Sequence, residues 1–352
     1  MREEKDESTV KMQEKRKAGE SSMQAIDFVL TWVDGSDPAW QRTRSQFDPN
    51  FDPAVADAHY RDYGTLKYWF RAVETYAPWV NKIHFVTCGQ TPEWLNTEHP
   101  KLHLVNHADF MPEKYLPTFS VNPIELNFHK IEGLAEQFVY FNDDTFLTAP
   151  TTPEDFFKGG LPCDSAELAA LIPSAKNEVI TYILFNDLLL INANFHKRQS
   201  MKGQLRKWFS LAYGKGVLRN LYYLPIGKFS GFVNPHLPNS FLKSTFAAVW
   251  EAEGTLLDEV CTHRFRTKED VNQYLMRYWQ LASGTFVPRK KKVGACYTLG
   301  GDNGAIEAAL RGGKHKLLCI NDNATMTDIE DQMTWLGNIF EDVLGEPCAF
   351  EK

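Results

Sequence analysis

Two apolar runs in this chain end abruptly in amide and carboxylate side chains. Phe138-Val139-Tyr140-Phe141 runs into Asn142-Asp143-Asp144, and Leu317-Leu318-Cys319-Ile320 runs into Asn321-Asp322-Asn323. Each reads as a strand whose carboxyl end is acidic, the end at which open α/β sheets bind ligands. Two adjacent carboxylates there suit a hard divalent cation, Mg²⁺ or Mn²⁺, which takes one or two protein carboxylates and completes its shell with water and substrate phosphate. The competing reading is an Asx-turn, in which the side chain caps its own backbone. That is the better reading of Asn321-Asp322 alone, whereas Asp143 and Asp144 repel each other unless something positive compensates them.

Three further residues could act on such a site. His236, within Pro235-His236-Leu237-Pro238, carries an imidazole that titrates near working pH and could serve as a base, or could be a packed loop residue. Arg264 and Arg266 offer guanidinium forks that match phosphate oxygens, or form surface ion pairs.

The elements that must hold these groups alternate along the chain. Ile26 to Val33 reads as a first strand and ends in the tight turn Asp34-Gly35-Ser36-Asp37-Pro38. Asp62 to Tyr76 has a helical stripe of Leu66, Phe70 and Val73, closed by Pro78. Strands follow at Ile83–Thr87 and Leu102–Val105. This alternation predicts an α/β fold, Rossmann-like with a largely parallel sheet flanked by helices and a helical insertion. Ile124 to Ile131 reads as a helix with Glu125 and His129 on one face. The apolar runs 180–185 and 188–191 fit helix or strand. Helices are predicted from Ser240 to Glu253, from Lys268 to Leu281 and from about Thr327 to Leu344. The organisation expected is a polar tail (1–25), one main domain (26–325) with a mixed, partly helical insertion at about 151–290, and a C-terminal helix (326–352).

Composition narrows the class. The chain has 352 residues, a net charge of -7, 43% hydrophobic and 24% charged residues, an ordinary globular balance without the basic bias of a nucleic-acid protein. Six cysteines stand widely apart with no CxxC spacing, which disfavours a zinc knuckle and fits a reducing compartment. No signal peptide or transmembrane span is expected, and residues 1–20 carry six basic and six acidic side chains, a poor membrane arm. No GxGxxG or P-loop pattern occurs.

Taken together, the motifs resemble the Stealth proteins. These are hexose-1-phosphate transferases that include bacterial capsule and exopolysaccharide phosphotransferases and the catalytic subunit of the animal GlcNAc-1-phosphotransferase. Four blocks carry the resemblance. The first is Ile26 to Pro38. The second runs from Arg61-Asp62-Tyr63-Gly64 through Tyr76-Ala77-Pro78-Trp79 and Leu116-Pro117-Thr118-Phe119 to Asn142-Asp143-Asp144. The third spans Pro235 to Tyr278, and the fourth is Cys319 to Asn323. The resemblance implies that a glycan or lipid-linked glycan hydroxyl attacks the sugar-bearing phosphorus of a UDP-hexose, UDP-GlcNAc or a relative, and that UMP leaves. It assigns Asp143, Asp144 and Asp322 to the metal, Arg266 to charge on the transferred phosphoryl group and His236 to the base. Asp27, Asp34, Gly35, Arg61, Asp62, Asn122, Glu125, His129 and Arg264 become candidates for substrate contact. A cytoplasmic enzyme, with peripheral association at the inner face of the membrane, follows from where nucleotide sugars are available. A metal-dependent glycosyltransferase would use the same groups and release UDP instead, and a non-catalytic glycan-binding protein would need no metal.

Overall fold

The computed structural model describes residues 24–49, 51–52, 60, 62–173, 178–321 and 328–352. Its strands are β1 (Ile26–Thr31), β2 (Ile83–Thr87), β3 (Leu102–Asn106), β4 (Gln137–Phe141), β5 (Thr145–Leu147), β6 (Phe157–Lys158), β7 (Leu161–Asp164), β8 (Asn239–Leu242), β9 (Val287–Pro288), β10 (Gly294–Thr298) and β11 (Leu317–Asn321). The main sheet has the order β3-β2-β1-β4-β8. The first four strands are parallel, with Phe28 opposite Ile83 and Val139, and only the edge strand β8 runs antiparallel. The outward order 3-2-1 followed by 4 places a topological switch between β1 and β4, and bears out the expected Rossmann-like α/β class.

Both faces of this sheet are covered, which is why its strands are continuous apolar runs. Successive side chains alternate between faces. Phe28, Leu30, Phe85, Val139 and Phe141 enter one core, and Val29, Val86, Phe138, Tyr140 and Phe241 enter the other. The first core is closed by helix Leu66–Tyr76 and by helix Ile329–Leu344, whose Phe340 stacks on Tyr68 with ring centroids 5.2 Å apart. Arg71 joins the two helices to the C-terminus, donating from Nε to Glu351 at 2.7 Å and from Nη1 to the Leu344 carbonyl at 2.8 Å.

Three sequence expectations shift here. Ser240–Leu242, predicted as the start of a helix, are strand. Their buried side chains pair with β4, and the helix runs from Lys243 to Cys261 instead. The helix predicted from Lys268 begins at Gln273, where the Asn272 side chain accepts from the Tyr274 amide as an N-cap. The ambiguous run around 180–191 is one helix, Val179–Asn194. A second, three-stranded sheet, β10-β11-β5, was not foreseen. It matters for the site because it sets the end of β11 against the end of β4.

Candidate active site

The carboxyl ends of β4 and β11 meet. β5 leaves Asp144 and pairs antiparallel with β11, so that Cys319 faces Thr145, and the Ile320 amide donates to the Asp144 carbonyl at 2.9 Å. Asn321 therefore ends β11 beside the acidic pair, while Asp322 lies outside the described residues. Asp143 is open to solvent on one side yet densely surrounded by protein, as at the floor of a cleft. Desolvation, then the charges of Asp144 and Asp62, push its carboxyl up to about 7. Asp144 is raised by desolvation as well, with His236 and Cys319 opposing that rise. Its Oδ1 is buried and has no hydrogen-bond partner among the described residues. Asp62 completes an acidic wall: desolvation and the charge of Asp34 raise it, while the Gly64 amide donates to its Oδ1 at 2.8 Å.

Asp34 and Gly35 form the turn after β1. Asp34 Oδ1 accepts from the amide and hydroxyl of Ser36 at 2.8 and 2.6 Å, and Gln90 bridges the Asp34 carbonyl and Asp37. Gly35 is required by a close approach, because a Cβ there would lie 2.4 Å from the Tyr60 carbonyl.

His236 stands over the acidic pair. Its Nε2 is 3.7 Å from Asp144 Oδ2 and 3.5 Å from Asn142 Nδ2. The residue holds φ at +44°, a left-handed conformation that a non-glycine side chain adopts at a cost, and such outliers gather at functional sites. A hydrogen bond with Cys296 raises the imidazole above its ordinary value, against desolvation and with help from Asp144. Cys296 in turn faces Cys319 across β10 and β11, with sulfur atoms 3.3 Å apart. Hydrogen bonds from Cys319 and His236 lower the Cys296 thiol, and Cys319 is raised.

Glu125 lies under the same site. It is fully buried, accepts from the Gln273 amide at 3.2 Å and is pushed up to about 7 by desolvation, with Tyr140, Arg266 and His236 acting against the rise. A small cavity between these groups is lined by Tyr140, Asn142, His236, Asn239, Gln273 and Tyr274. A larger open hollow of 540 Å³, lined by Gly203 to Lys207 and Gly284, lies in the helical region and contains none of these acids.

Other expected substrate contacts sit elsewhere. Asp27 is at the opposite, amino end of β1, wholly buried. Its carboxylate accepts from Asn81 Nδ2 at 2.7 Å, His84 Nε2 at 3.0 Å and the Ala135 amide at 2.8 Å, so it braces the sheet and does not reach a nucleotide. The Asn122 amide is buried and donates to Asp270 Oδ2 at 2.8 Å, an interior contact. His129 does not share a helix face with Glu125, because the helix Val121–Leu126 stops at Asn127 and His129 falls in a 3₁₀ turn. Its ring lies against Phe246 and Trp250, where desolvation lowers it to about 4. Arg264 donates to the Pro117 carbonyl at 2.7 Å and lies over the Phe47 ring, which ties the third block to the second. Arg266 is exposed and acts electrostatically on Glu125. Arg61 lies outside the described residues.

The sequence reading assigned no role to the thiols of Cys296 and Cys319. Their juxtaposition depends on parallel pairing of strands 23 positions apart, which leaves no spacing signature. The signal for Glu125 was present: a carboxylate inside the apolar turn Val121-Asn122-Pro123-Ile124-Glu125-Leu126 is buried unless that turn is exposed.

Known proteins carry the same pattern. Residues 24–52 match the model of Stealth protein conserved region 1, and residues 59–163 that of conserved region 2. The capsular polysaccharide phosphotransferase WcwK of Streptococcus pneumoniae is 42% identical over 329 residues, covering 93% of this chain and 99% of that protein. The receptor polysaccharide phosphotransferase WefC of Streptococcus oralis is 39% identical over 94% of this chain and 100% of its own length. The exopolysaccharide phosphotransferase cps2G of Lactiplantibacillus plantarum is 40% identical over 93% of this chain and 96% of that protein. Among solved structures, galactosyltransferase LgtC in complex with donor and acceptor sugar analogs aligns over 91% of this chain and 95% of that one, at 11% identity and a TM-score of 0.41. With its first two blocks matched and full-length relatives at about 40% identity, the chain belongs to the Stealth family of phosphotransferases.

Proposed function

We propose that this enzyme transfers a hexose 1-phosphate from a UDP-hexose, UDP-GlcNAc or a relative, to a hydroxyl of a glycan or lipid-linked glycan. The oxygen–phosphorus bond to the acceptor forms, the bond to UMP breaks, and a sugar–phosphate–sugar diester remains in a capsular or exopolysaccharide. The names of the full-length relatives support sugar-phosphate transfer in polysaccharide synthesis. The observation that carries the chemistry is the acidic pair Asp143-Asp144 at the end of β4, set beside the end of β11 and beneath His236.

Asp143 and Asp144 are the residues that would hold Mg²⁺ or Mn²⁺. The fit rests on Asp144 Oδ1, buried without a partner among the described residues, and on Asp143, whose ionisation its acidic neighbours oppose. When bound, such an ion neutralises the pyrophosphate. The remaining work falls to protein groups, since phosphoryl transfer depends on positioning and charge stabilisation. The His236 imidazole takes the proton of the acceptor hydroxyl, and Asp144 Oδ2, 3.7 Å from Nε2, steadies the imidazolium. Arg266, exposed at the rim, pairs with the transferred phosphoryl oxygens. Asp34, Gly35 and Asp62 form the nucleotide side, to which the family resemblance adds Arg61. Arg264 positions the segment bearing Arg266 through its bond to Pro117. No helix of the described residues is long and apolar enough to cross a membrane. We place the reaction in the cytoplasm, at the inner face of the membrane.

The nucleotide product tests this. The protein is incubated with Mg²⁺, a panel of UDP-sugars and crude bacterial glycan, with and without EDTA, and the nucleotides are separated by chromatography. Metal-dependent UMP release is the expected result. UDP release would mean attack at the anomeric carbon, and the chemistry would be that of a glycosyltransferase.

A further inference from the structure

The acidic chain contains one long stretch of opposite character. From Leu188 to Trp250 there is no Asp or Glu, and there are nine Lys and Arg residues, in a protein of net charge -7. Within it, Leu205, Leu211, Leu218, Leu221, Tyr222 and Ile226 are exposed. Leu211 is 90% accessible, Tyr222 77% and Leu218 67%. Single exposed leucines are ordinary, but a run of them on short consecutive helices marks a binding surface.

Helix Gly216–Tyr223 shows how the surface is built. Gly216 and Asn220 are buried, and the Asn220 amide bonds the Ala166 and Trp208 carbonyls. At 100° per residue, Leu218, Leu221 and Tyr222 form one outward stripe, and Lys215 and Arg219 flank it on one side. Arg198, Lys202, Arg206, Lys215 and Arg219 are exposed and make no ion pair among the described residues. Leucine and tyrosine bounded by unpaired cations, without acids, are the makeup of a surface that lies in a bilayer interface.

We propose that the Lys197–Lys228 surface docks this enzyme on an anionic lipid bilayer, with Leu211, Leu218, Leu221 and Tyr222 entering the interface and the surrounding Lys and Arg meeting lipid phosphates. A bilayer fits better than a second copy of the chain, because two copies meeting through this face would bring the same cations, Arg198, Lys202, Arg206, Lys215 and Arg219, against one another. The proposal goes beyond the transfer reaction and does not require it. It gives that reaction access to lipid-linked acceptors.

The full chain is sedimented with vesicles of phosphatidylglycerol and phosphatidylcholine, and with phosphatidylcholine alone, at low and high salt. Binding to the anionic vesicles, weakened by salt, is expected. Lys215→Ala/Arg219→Ala should weaken it about thirtyfold, at about 1 kcal/mol per charge. Leu218→Ser/Leu221→Ser should weaken it without lowering the melting temperature. Absence of binding to anionic vesicles, or equal binding by both variants, overturns the proposal. A wild-type dimer that becomes monomeric in the leucine variant, without vesicle binding, assigns the face to self-association and overturns it too. UMP release measured on soluble acceptor separates this outcome from failure of the transfer chemistry.

A different observation carries a second proposal. His236, Cys296 and Cys319 present a ring nitrogen and two sulfur atoms, all within 4.8 Å of one another. The Asp144 carboxylate lies 3.4 Å from Cys319 Sγ and 3.7 Å from His236 Nε2. We infer that these three side chains form a site for a thiophilic divalent cation of the Zn²⁺ type, distinct in donor chemistry from the all-oxygen carboxylate pair. Two thiolates, one imidazole and an open fourth position constitute a recognised zinc set, and each coordinated thiol releases its proton to solvent. Titration with Co²⁺ should give one equivalent with sulfur-to-metal charge-transfer absorption, displaced by Zn²⁺, and Cys296→Ser should weaken it at least about tenfold. No thiolate absorption, or unchanged absorption in Cys296→Ser, overturns the inference. These readouts are independent of turnover. If the transfer reading holds, bound Zn²⁺ also slows UMP release by occupying His236.

Discussion

Asp27→Ala separates a brace from a nucleotide contact. In the fold, the Asp27 carboxylate accepts three hydrogen bonds at 2.7 to 3.0 Å with no access to solvent. Removing it strands the buried His84 Nε2 and takes the partner from the half-buried Ala135 amide and from Asn81 Nδ2, which sits at the surface. Each costs about 1–3 kcal/mol when left unsatisfied, and the losses overlap. With Asn81 able to turn to water, the expected loss is about 2–4 kcal/mol. That is a large share of a typical stability of about 5–15 kcal/mol. At about 1.4 °C per kcal/mol for a chain of 352 residues, the melting temperature should fall by about 3–6 °C. Urea unfolding followed by tryptophan fluorescence reads the free energy, and donor titration reads the site. The pH dependence adds a check. Burial raises Asp27, but the bonds from His84, Asn81 and Ala135 lower it overall below 3.8. A depressed carboxyl contributes stability above its unfolded value, and that contribution is lost as pH falls through the folded one. The gap between wild type and variant should therefore be full at neutral pH and close below about pH 4. A variant as stable as wild type but with weakened donor binding would refute the bracing role.

Asp144→Asn should abolish metal-dependent UMP release while the far-UV spectrum and melting temperature stay close to wild type, because its Oδ1 has no partner among the described residues to lose. His236→Ala should lower kcat far more than it changes KM for the donor; a pure rise in KM would make His236 a nucleotide contact. Glu125→Gln should stabilise the fold above pH 7 and be nearly neutral at pH 5. Burial raises this carboxyl to about 7, so folding is favoured while it stays protonated, and that advantage is lost as pH rises through 7. The full effect approaches about 3 kcal/mol at high pH, read as a melting-temperature difference between pH 5 and pH 9.

The parallel sheet was legible because its strands are unbroken apolar runs of the length strands take, separated by helical periodicity. Ile26–Thr31, Ile83–Thr87, Leu102–Asn106 and Gln137–Phe141 all fall where those runs lie. Local pattern failed where distant pairing decides the outcome. Ser240–Leu242 continue smoothly into a helical sequence, and only the open edge of β4 makes them strand. The same holds for the site. Asn142-Asp143-Asp144 announced themselves by adjacency, but the ring of His236, Cys296 and Cys319 exists only because β10 and β11 pair in parallel and return beside β5. Glu125 and His129 show the opposite failure. Spacing of four implies one face only if the helix continues, and it stops at Asn127, whose backbone amide turns to the Ile124 carbonyl.

Position along a strand decides what an acid does in this protein. Asp27 and Asp143 come from neighbouring parallel strands of the same sheet, and both are crowded by protein. At the amino end of β1, Asp27 meets donors already in place: an asparagine, a histidine and a loop amide. Its charge is satisfied internally and its ionised form is favoured. At the carboxyl end of β4, Asp143 meets Asp144 and Asp62, so its ionised form is opposed by like charge and by lost solvent. An acid pair in that condition persists at neutral pH either by holding a proton or by holding a cation, and a substrate that arrives with its own metal supplies the second. Binding of Mg²⁺ at the β4 end should therefore release protons near pH 7, where Asp143 is half protonated, and release few at pH 9. Calorimetry in buffers of different ionisation enthalpy measures that release directly. Mg²⁺ binding without proton release at pH 7 would mean that Asp143 is already ionised and that another positive group compensates it.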